Sequence, residues 1–236
     1  MLSRMPYRIL YAEDDETLAF LTRDCLERKG YAVDHFTEGT ACYAAFKKSE
    51  YDICILDVML PGMNGFDLLA AIRKENRQVP VIFLSAKTLS EDRLTGLRIG
   101  ADDYIVKPYN MEELLLKIEI FIKRSSVNTA PGSGKQSNYA AGTYVFDPAN
   151  FMLKKKGKEI LLTEREAALL GYLLRHKNEA LKREQILQAV WGQDDYFYGR
   201  SLDVFVSRLR KIFADEPGFR IQTLHGIGFR LHTDTT

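Results

Sequence analysis

Ile53-Cys54-Ile55-Leu56-Asp57-Val58-Met59-Leu60-Pro61-Gly62 decides the fold of this chain. Four apolar residues run into an acid, and Pro and Gly follow. An unbroken apolar run of this length, bounded by turn residues, reads as a strand buried on both faces of a parallel sheet. Asp57 then stands at the carboxyl edge of that sheet, where open α/β folds build their sites. Outward from it, residues 8–12, 32–36, 81–85 and 104–106 also read as short strands. Helical stripes lie between them: Leu18, Leu21, Cys25 and Leu26, then Ala41, Ala44, Ala45 and Phe46, then Phe66, Leu69, Ala70 and Ile72. Leu94, Leu97 and Ile99 follow, then Leu114, Leu115, Ile118 and Phe121. Alternating strands and helices predict a doubly wound, five-stranded parallel sheet with right-handed crossovers.

Three other strand ends match Asp57 in chemistry. The first ends in Glu13-Asp14-Asp15, the fourth in Ser85, the fifth in Lys107-Pro108. Carboxylates gathered at one edge raise each other's pKa unless a cation sits among them. An all-oxygen set suits Mg²⁺, which also binds phosphate oxygens. A carboxylate beside Mg²⁺ can attack a phosphoryl group, and the transfer needs positive charge and donors around the equatorial oxygens. Lys107 offers the charge and Ser85 the hydroxyl.

The chain has 236 residues, long for one ordinary domain and comfortable for two. No apolar stretch is long enough to span a bilayer, and the first residues lack the apolar core of a signal peptide. Cys25, Cys42 and Cys54 lie in or beside apolar sequence and read as free thiols of a reducing compartment, so a cytoplasmic protein is expected. Residues 1–124 hold 17 Lys+Arg against 20 Asp+Glu, and residues 125–236 hold 16 against 12, so the two halves differ in sign. Residues 125–138, rich in Ser, Gly and Asn, read as a flexible linker between a domain at 1–124 and one at 139–236. After the linker the order changes to α+β: strands near 143–146, 151–155 and 159–161, helices over 164–176, 183–191 and 201–213, and a hairpin of 220–223 with 228–232. In the third helix Leu202, Val206, Leu209 and Phe213 form a core stripe, while Arg200, Val204, Ser207, Arg208 and Lys211 are expected to project the other way. Such a face fits the DNA major groove, with Arg reading guanine, Val touching a thymine methyl and Lys neutralising phosphate.

The first half resembles the CheY-like receiver domain of two-component response regulators. The resemblance rests on Ile9-Leu10-Tyr11-Ala12-Glu13-Asp14-Asp15, on Leu56 through Gly65, on Leu84-Ser85-Ala86 and on Gly100 through Pro108. It implies that Asp57 accepts phosphate from a sensor histidine kinase. It implies Mg²⁺ on Asp14, Asp57 and the backbone carbonyl of Met59, with Glu13 assisting. Ser85 and Lys107 would grip the phosphoryl group, and Tyr104 would be the switch aromatic. Met59 and Lys87 stand where receivers tune acyl-phosphate lifetime. The second half, through Arg200–Lys211 and Ile221–Arg230, is similar to the winged-helix effector of the OmpR/PhoB type, with Leu162-Thr163-Glu164-Arg165-Glu166 opening its first helix in a capping box. That adds Ser201, Arg210, Thr223 and His225 to the DNA-binding set, and makes Trp191 through Gly199 the loop facing RNA polymerase. His225 stands where the wing often has Arg, and Ser207 where many relatives have a base. A weaker or pH-sensitive minor-groove contact is expected. The resemblance also implies an activated homodimer through Arg93, Asp103, Glu113, Lys117 and Arg124, gripping repeated half-sites of double-stranded DNA; Arg98 replaces a usual acid. No membrane partner is expected, and no enzyme activity beyond aspartyl-phosphate chemistry. Three other readings compete: a phosphorylation-independent regulator, a signalling adaptor without DNA binding, and an aspartyl-nucleophile phosphatase. The last needs a second acid two residues after Asp57, where this chain has Met59.

Overall fold

The computed structural model describes residues 6–86, 90–127, 138–192 and 196–233, with the backbone alone at 90–94, 123–127 and 196–200. The chain divides into two compact units, residues 1–133 and 134–236. Most of the expected linker lies outside the described residues.

The first unit alternates without exception. Its elements are β1 (Arg8–Ala12), α1 (Glu16–Arg28), β2 (Ala32–Phe36), α2 (Gly39–Phe46), β3 (Ile53–Asp57), α3 (Gly65–Glu75), β4 (Val81–Ser85), α4 (Ser90–Ile99), β5 (Asp103–Val106) and α5 (Met111–Val127). The strands pair in parallel in the order β2-β1-β3-β4-β5. The order reverses between β1 and β3, so Glu13 and Asp57 end up across a topological switch point. Every residue of β3 and β4 is buried, as their apolar runs require. Ile9, Tyr11, Ile53, Ile55, Ile82 and Leu84 form one core with Leu114, Ile118 and Phe121 of α5. Alternate residues, such as Leu10, Cys54, Leu56 and Phe83, point to the opposite face and are also fully buried.

Local chemistry sets where the helices begin. Asp15 caps α1 by accepting from the backbone N of Thr17 and of Leu18, both at 3.0 Å. Asn64 caps α3 through Asp67 N at 2.9 Å. Gly65 follows because α3 starts against the end of β3: a Cβ there would lie 2.1 Å from the Asp57 carbonyl oxygen. At the other edge of the sheet the side chain of Arg73 is largely covered. Its guanidinium reaches Asp102 Oδ2 at 2.8 Å and the carbonyls of Gly100 and Val79 at 2.9 and 2.6 Å.

The second unit opens on an antiparallel sheet of β6 (Tyr139–Ala141), β7 (Tyr144–Asp147), β8 (Met152–Lys155) and β9 (Lys158–Leu161), paired in that order. Then come α6 (Glu164–Arg175), β10 (Leu181–Lys182), α7 (Arg183–Trp191), α8 (Tyr196–Ile212), β11 (Phe219–Leu224) and β12 (Gly228–Thr233), with a second sheet β10-β12-β11. Strands β6 and β10 are too short to leave a periodic signature, and the sequence reading missed both. The capping box of α6 is present: Thr163 Oγ1 accepts from Glu166 N at 3.3 Å, and Glu166 Oε2 accepts from Thr163 N at 2.9 Å. Helix α8 begins at Tyr196, five residues before the expected start, so part of the expected 191–199 loop is helical. The hairpin closes tightly on β10, since a Cβ on Gly228 would lie 2.1 Å from the Leu181 carbonyl oxygen.

Candidate functional site

Strands β1, β3 and β5 deliver four charged groups to one point. Carboxylate oxygens of Glu13, Asp14 and Asp57 lie within 4.8 Å of one another. Lys107 reaches across from the end of β5, and its Nζ is 2.5 Å from Asp57 Oδ2 and 2.7 Å from Glu13 Oε1. The second Asp57 oxygen accepts from the backbone N of Met59 at 2.9 Å. Glu13 and Asp57 are buried, whereas Asp14 and the Met59 side chain are exposed. Burial pushes the Glu13 carboxyl up to about 6 against the pull of Lys107, and the neighbouring Asp57 charge adds to the rise. Burial works to lower the Lys107 ammonium, but its bonds to Asp57 and Glu13 outweigh that and hold it above its ordinary value. The pocket is therefore a charged cluster with two buried acids on one ammonium.

Ser85 is fully buried at the end of β4, and its carbonyl accepts from Lys107 N at 2.8 Å, which joins the two strand ends. Tyr104 is turned inward and buried, its ring 6.0 Å from Phe83; Phe83 meets Phe66 edge-on at 5.4 Å. The Lys107-Pro108 peptide is cis. Tyr109, just beyond it, holds its hydroxyl 2.9 Å from Thr22 Oγ1. Neither residue figured in the sequence reading, because the two stand 87 positions apart.

On α8 the structure separates the expected DNA-contacting residues into two sets. Ser207, Arg210 and Lys211 are exposed, as are Thr223 and His225 in the hairpin. Ser201, Val204 and Arg208 correct the expectation. Ser201 is 2% exposed and Val204 7%, because α6, α7 and β11 pack around more than one stripe of α8. Arg208 folds back, its guanidinium 4.6 Å from the Phe205 ring and 3.3 Å from Glu166 Oε1. Arg210 is partly committed, donating to the Ile221 carbonyl at 2.7 Å and to Thr223 Oγ1 at 2.8 Å. The solvent stripe also includes Asp203, which the sequence reading passed over and which pairs with Arg183 at 2.8 Å. Side chain 200 lies outside the described residues.

Residues 9–119 match the family described as the response regulator receiver domain, and residues 157–231 that described as transcriptional regulatory protein, C terminal. The chain is 44% identical to the transcriptional regulatory protein RprY of Bacteroides fragilis over 227 residues, covering 96% of this chain and 94% of RprY. It is 35% identical to TcrX of Mycobacterium tuberculosis, a probable transcriptional regulatory protein, over 96% of this chain and 95% of TcrX. Among solved structures DrrB of Thermotoga maritima, an OmpR/PhoB homolog, aligns over 97% of this chain and 100% of its own, at 27% identity and a TM-score of 0.51. The chain is an OmpR/PhoB-type response regulator. Its first unit carries the receiver and its second the winged-helix DNA-binding domain. Membership implies a sensor histidine kinase and DNA as partners.

Receivers bind Mg²⁺ at an acidic pocket, and the donors in this response regulator fit one. Hard carboxylate oxygens from three residues converge, with Asp14 open to solvent. The receiver's expected dimer residues fare unevenly. Asp103 and Lys117 are buried and pair with each other at 2.8 Å inside the receiver. Glu113 is more exposed and lies 3.8 Å from the same Lys117 ammonium. Side chains 93 and 124 lie outside the described residues, as does Lys87. Among the described residues no helix is long and apolar enough to cross a membrane.

Proposed function

We propose that this response regulator accepts a phosphoryl group on Asp57 from its sensor histidine kinase, dimerises, and binds repeated half-sites in promoter DNA to regulate transcription. The carrying observation is the Lys107 ammonium 2.5 Å from Asp57 Oδ2, with Glu13 and Asp14 beside it. An Asp57 oxygen attacks phosphorus, the bond from phosphorus to the donor's nitrogen or oxygen breaks, and its electron pair leaves with the donor. An acyl phosphate remains. Glu13, Asp14, Asp57 and the Met59 carbonyl would hold Mg²⁺. When bound, the ion supplies charge neutralisation at the phosphoryl oxygens. Lys107 would follow the charge from the carboxylate to the phosphoryl group, and the Ser85 hydroxyl would donate to one of its oxygens. Tyr104, packed on Phe83 beside Ser85 on the sheet, would hold the inward state and carry the change to the dimer face.

The dimer would draw on Arg93, Glu113 and Arg124, and it raises the effective concentration of the second DNA-binding domain at a neighbouring half-site. Ser207, Arg210 and Lys211 would face the groove, with Thr223 and His225 at the hairpin. The segment from Trp191 toward Gly199 would face RNA polymerase. The expected linker begins within α5, which runs to Val127, so the residues from there to 138 would act as the linker, and the protein would work in the cytoplasm. Incubation with Mg²⁺ and acetyl phosphate tests this reading by intact mass, then by sizing and DNA affinity. The expected result is one phosphoryl group on the parent, none on Asp57→Ala, and a shift to dimer only in the parent. Phosphate uptake by Asp57→Ala, or unchanged assembly and DNA affinity on confirmed phosphorylation, overturns it.

A further inference from the structure

Three hydroxyls meet beside the acidic pocket, and none belongs to the set that would handle phosphate. Thr22 on α1 is fully buried, its Oγ1 2.9 Å from the Tyr109 hydroxyl. Tyr11 on β1 is also fully buried; its hydroxyl lies against the same two groups without a well-aligned partner of its own. Apolar side chains of the same shape, Phe at 11 and 109 and Val at 22, would fill this space with no polar atom to satisfy. Burying hydroxyls carries a desolvation cost that packing alone does not require. Their positions in the chain suggest what the cost achieves. Tyr11 is two residues before Glu13, Tyr109 is two residues after Lys107, and the helix bearing Thr22 starts beside Asp14 and Asp15. Apolar contact is non-directional, whereas a hydrogen bond fixes distance and angle.

We propose that the Tyr11–Thr22–Tyr109 hydroxyl cluster is a positioning device that sets the Lys107 ammonium against Asp57 and Glu13. It rests on the phosphoacceptor reading. Thr22 and Tyr109 tie the loop after β5 to α1, so the Lys107 backbone is held relative to β1 as well as to β4, whose Ser85 carbonyl accepts its N–H. The ammonium then meets both carboxylates in one conformation. Small displacements of such a group are costly, since a misplacement of about 1 Å can lower a rate about 100-fold. The cluster touches neither substrate nor metal, so its loss is read in the rate of phosphate capture and not in the half-saturating donor concentration.

The test compares the full chain with Thr22→Val, Tyr109→Phe, the double variant and Thr22→Ser, following phosphorylation by acetyl phosphate with saturating Mg²⁺. Each hydroxyl deletion is expected to lower the maximal capture rate about 10-fold, with the double variant no slower than the slower single one. Thr22→Ser, which keeps the hydroxyl, is expected to stay within about twofold of the parent. Thermal unfolding of each variant separates a rate effect from loss of fold. Single variants that match the parent, losses that multiply in the double variant, or a Thr22→Ser rate as low as that of Thr22→Val overturn the proposal. If the parent itself takes up no phosphate, the phosphoacceptor reading fails and the cluster's role with it. If the parent is phosphorylated and the variants equal it, only the cluster's role fails.

Discussion

Asp102 and Arg73 show how much a single buried charge depends on its partner. The side chains are 1% and 8% exposed, and Asp102 Oδ2 also accepts from Val81 N at 3.0 Å. Removing the guanidinium takes this counter-charge from a buried carboxylate at the sheet's edge. Arg73→Met is expected to destabilise the receiver by about 3–5 kcal/mol, and Arg73→Met with Asp102→Leu to recover much of that. Urea unfolding followed by circular dichroism measures both; equal losses in the single and double variants contradict the assignment. Lys107 differs in its surroundings, because its two buried acids lie beside the exposed Asp14. Its ammonium meets carboxylates alone in Glu13 and Asp57, whereas Arg73 is held by backbone carbonyls as well as a carboxylate.

At the scale of elements, Glu216 joins the four-stranded sheet to the end of α8. It is buried after α8, yet it accepts from Thr143 N at 2.8 Å and from Thr143 Oγ1 at 2.7 Å, and it pairs with Lys155. Burial works to raise its carboxyl, but the Lys155 and Thr143 hydrogen bonds outweigh burial and hold it at about 2. The folded pKa lies below the ordinary value of 4.5, so its contribution is complete above that pH. It is lost as pH falls from there toward about 2. Glu216→Gln is expected to lower stability of the DNA-binding domain at neutral pH and to flatten its acid dependence below pH 4.5. Thermal melts reporting on Trp191, the chain's one Trp, check this across pH. Helix α8 supplies a second expectation. Val204→Ala removes buried volume and is expected to cost about 1–3 kcal/mol of stability. Lys211→Ala, on the exposed stripe, is expected to leave stability within about 0.5 kcal/mol and weaken DNA binding across sequences, reducing the salt slope by about 1. Fluorescence anisotropy at several salt concentrations distinguishes the two; a DNA-specific effect confined to Val204 reverses the assignment of faces.

For the whole molecule, the proposed phosphoacceptor and the proposed DNA-contacting residues lie in separate compact units, so the two roles are expected to be separable by mutation. Asp57→Ala leaves the exposed stripe of α8 and the hairpin untouched. Its basal DNA affinity and salt slope are expected to equal those of the unphosphorylated parent. The gain on phosphodonor treatment, about 10- to 100-fold if dimerisation supplies the effective concentration, is expected to vanish. Titrating a DNA with two half-sites, and one with a single half-site, checks both points. A gain of equal size on the single half-site argues against a dimer as the carrier.

Much of the receiver was legible because its signals are local. A strand buried on both faces must be an unbroken apolar run, which marks 53–57 and 81–85. The expected strands 8–12 and 32–36 also coincide with the observed ones, although β2 is a half-buried edge strand that carries Asp34 and His35, and β5 begins one residue before the expected start. The acidic pocket follows from strand ends in a parallel sheet, where order alone brings Glu13, Asp57 and Lys107 together. Short strands such as β6 and β10, stabilised by neighbours instead of by their own pattern, left no trace. Periodicity also divides a helix into two faces only when one side packs. Helix α8 is enclosed by α6, α7 and β11, so Ser201, Val204 and Arg208 turn inward while the same residue types elsewhere would face water. The pairing of Asp103 with Lys117 and the meeting of Tyr11, Thr22 and Tyr109 are contacts between distant residues. Sequence alone determined the alternating architecture and the chemistry of its carboxyl edge, because burial and chain order dictate both. Only the tertiary structure decided which charges are used internally and which face of α8 is left exposed, because those depend on what packs against each element.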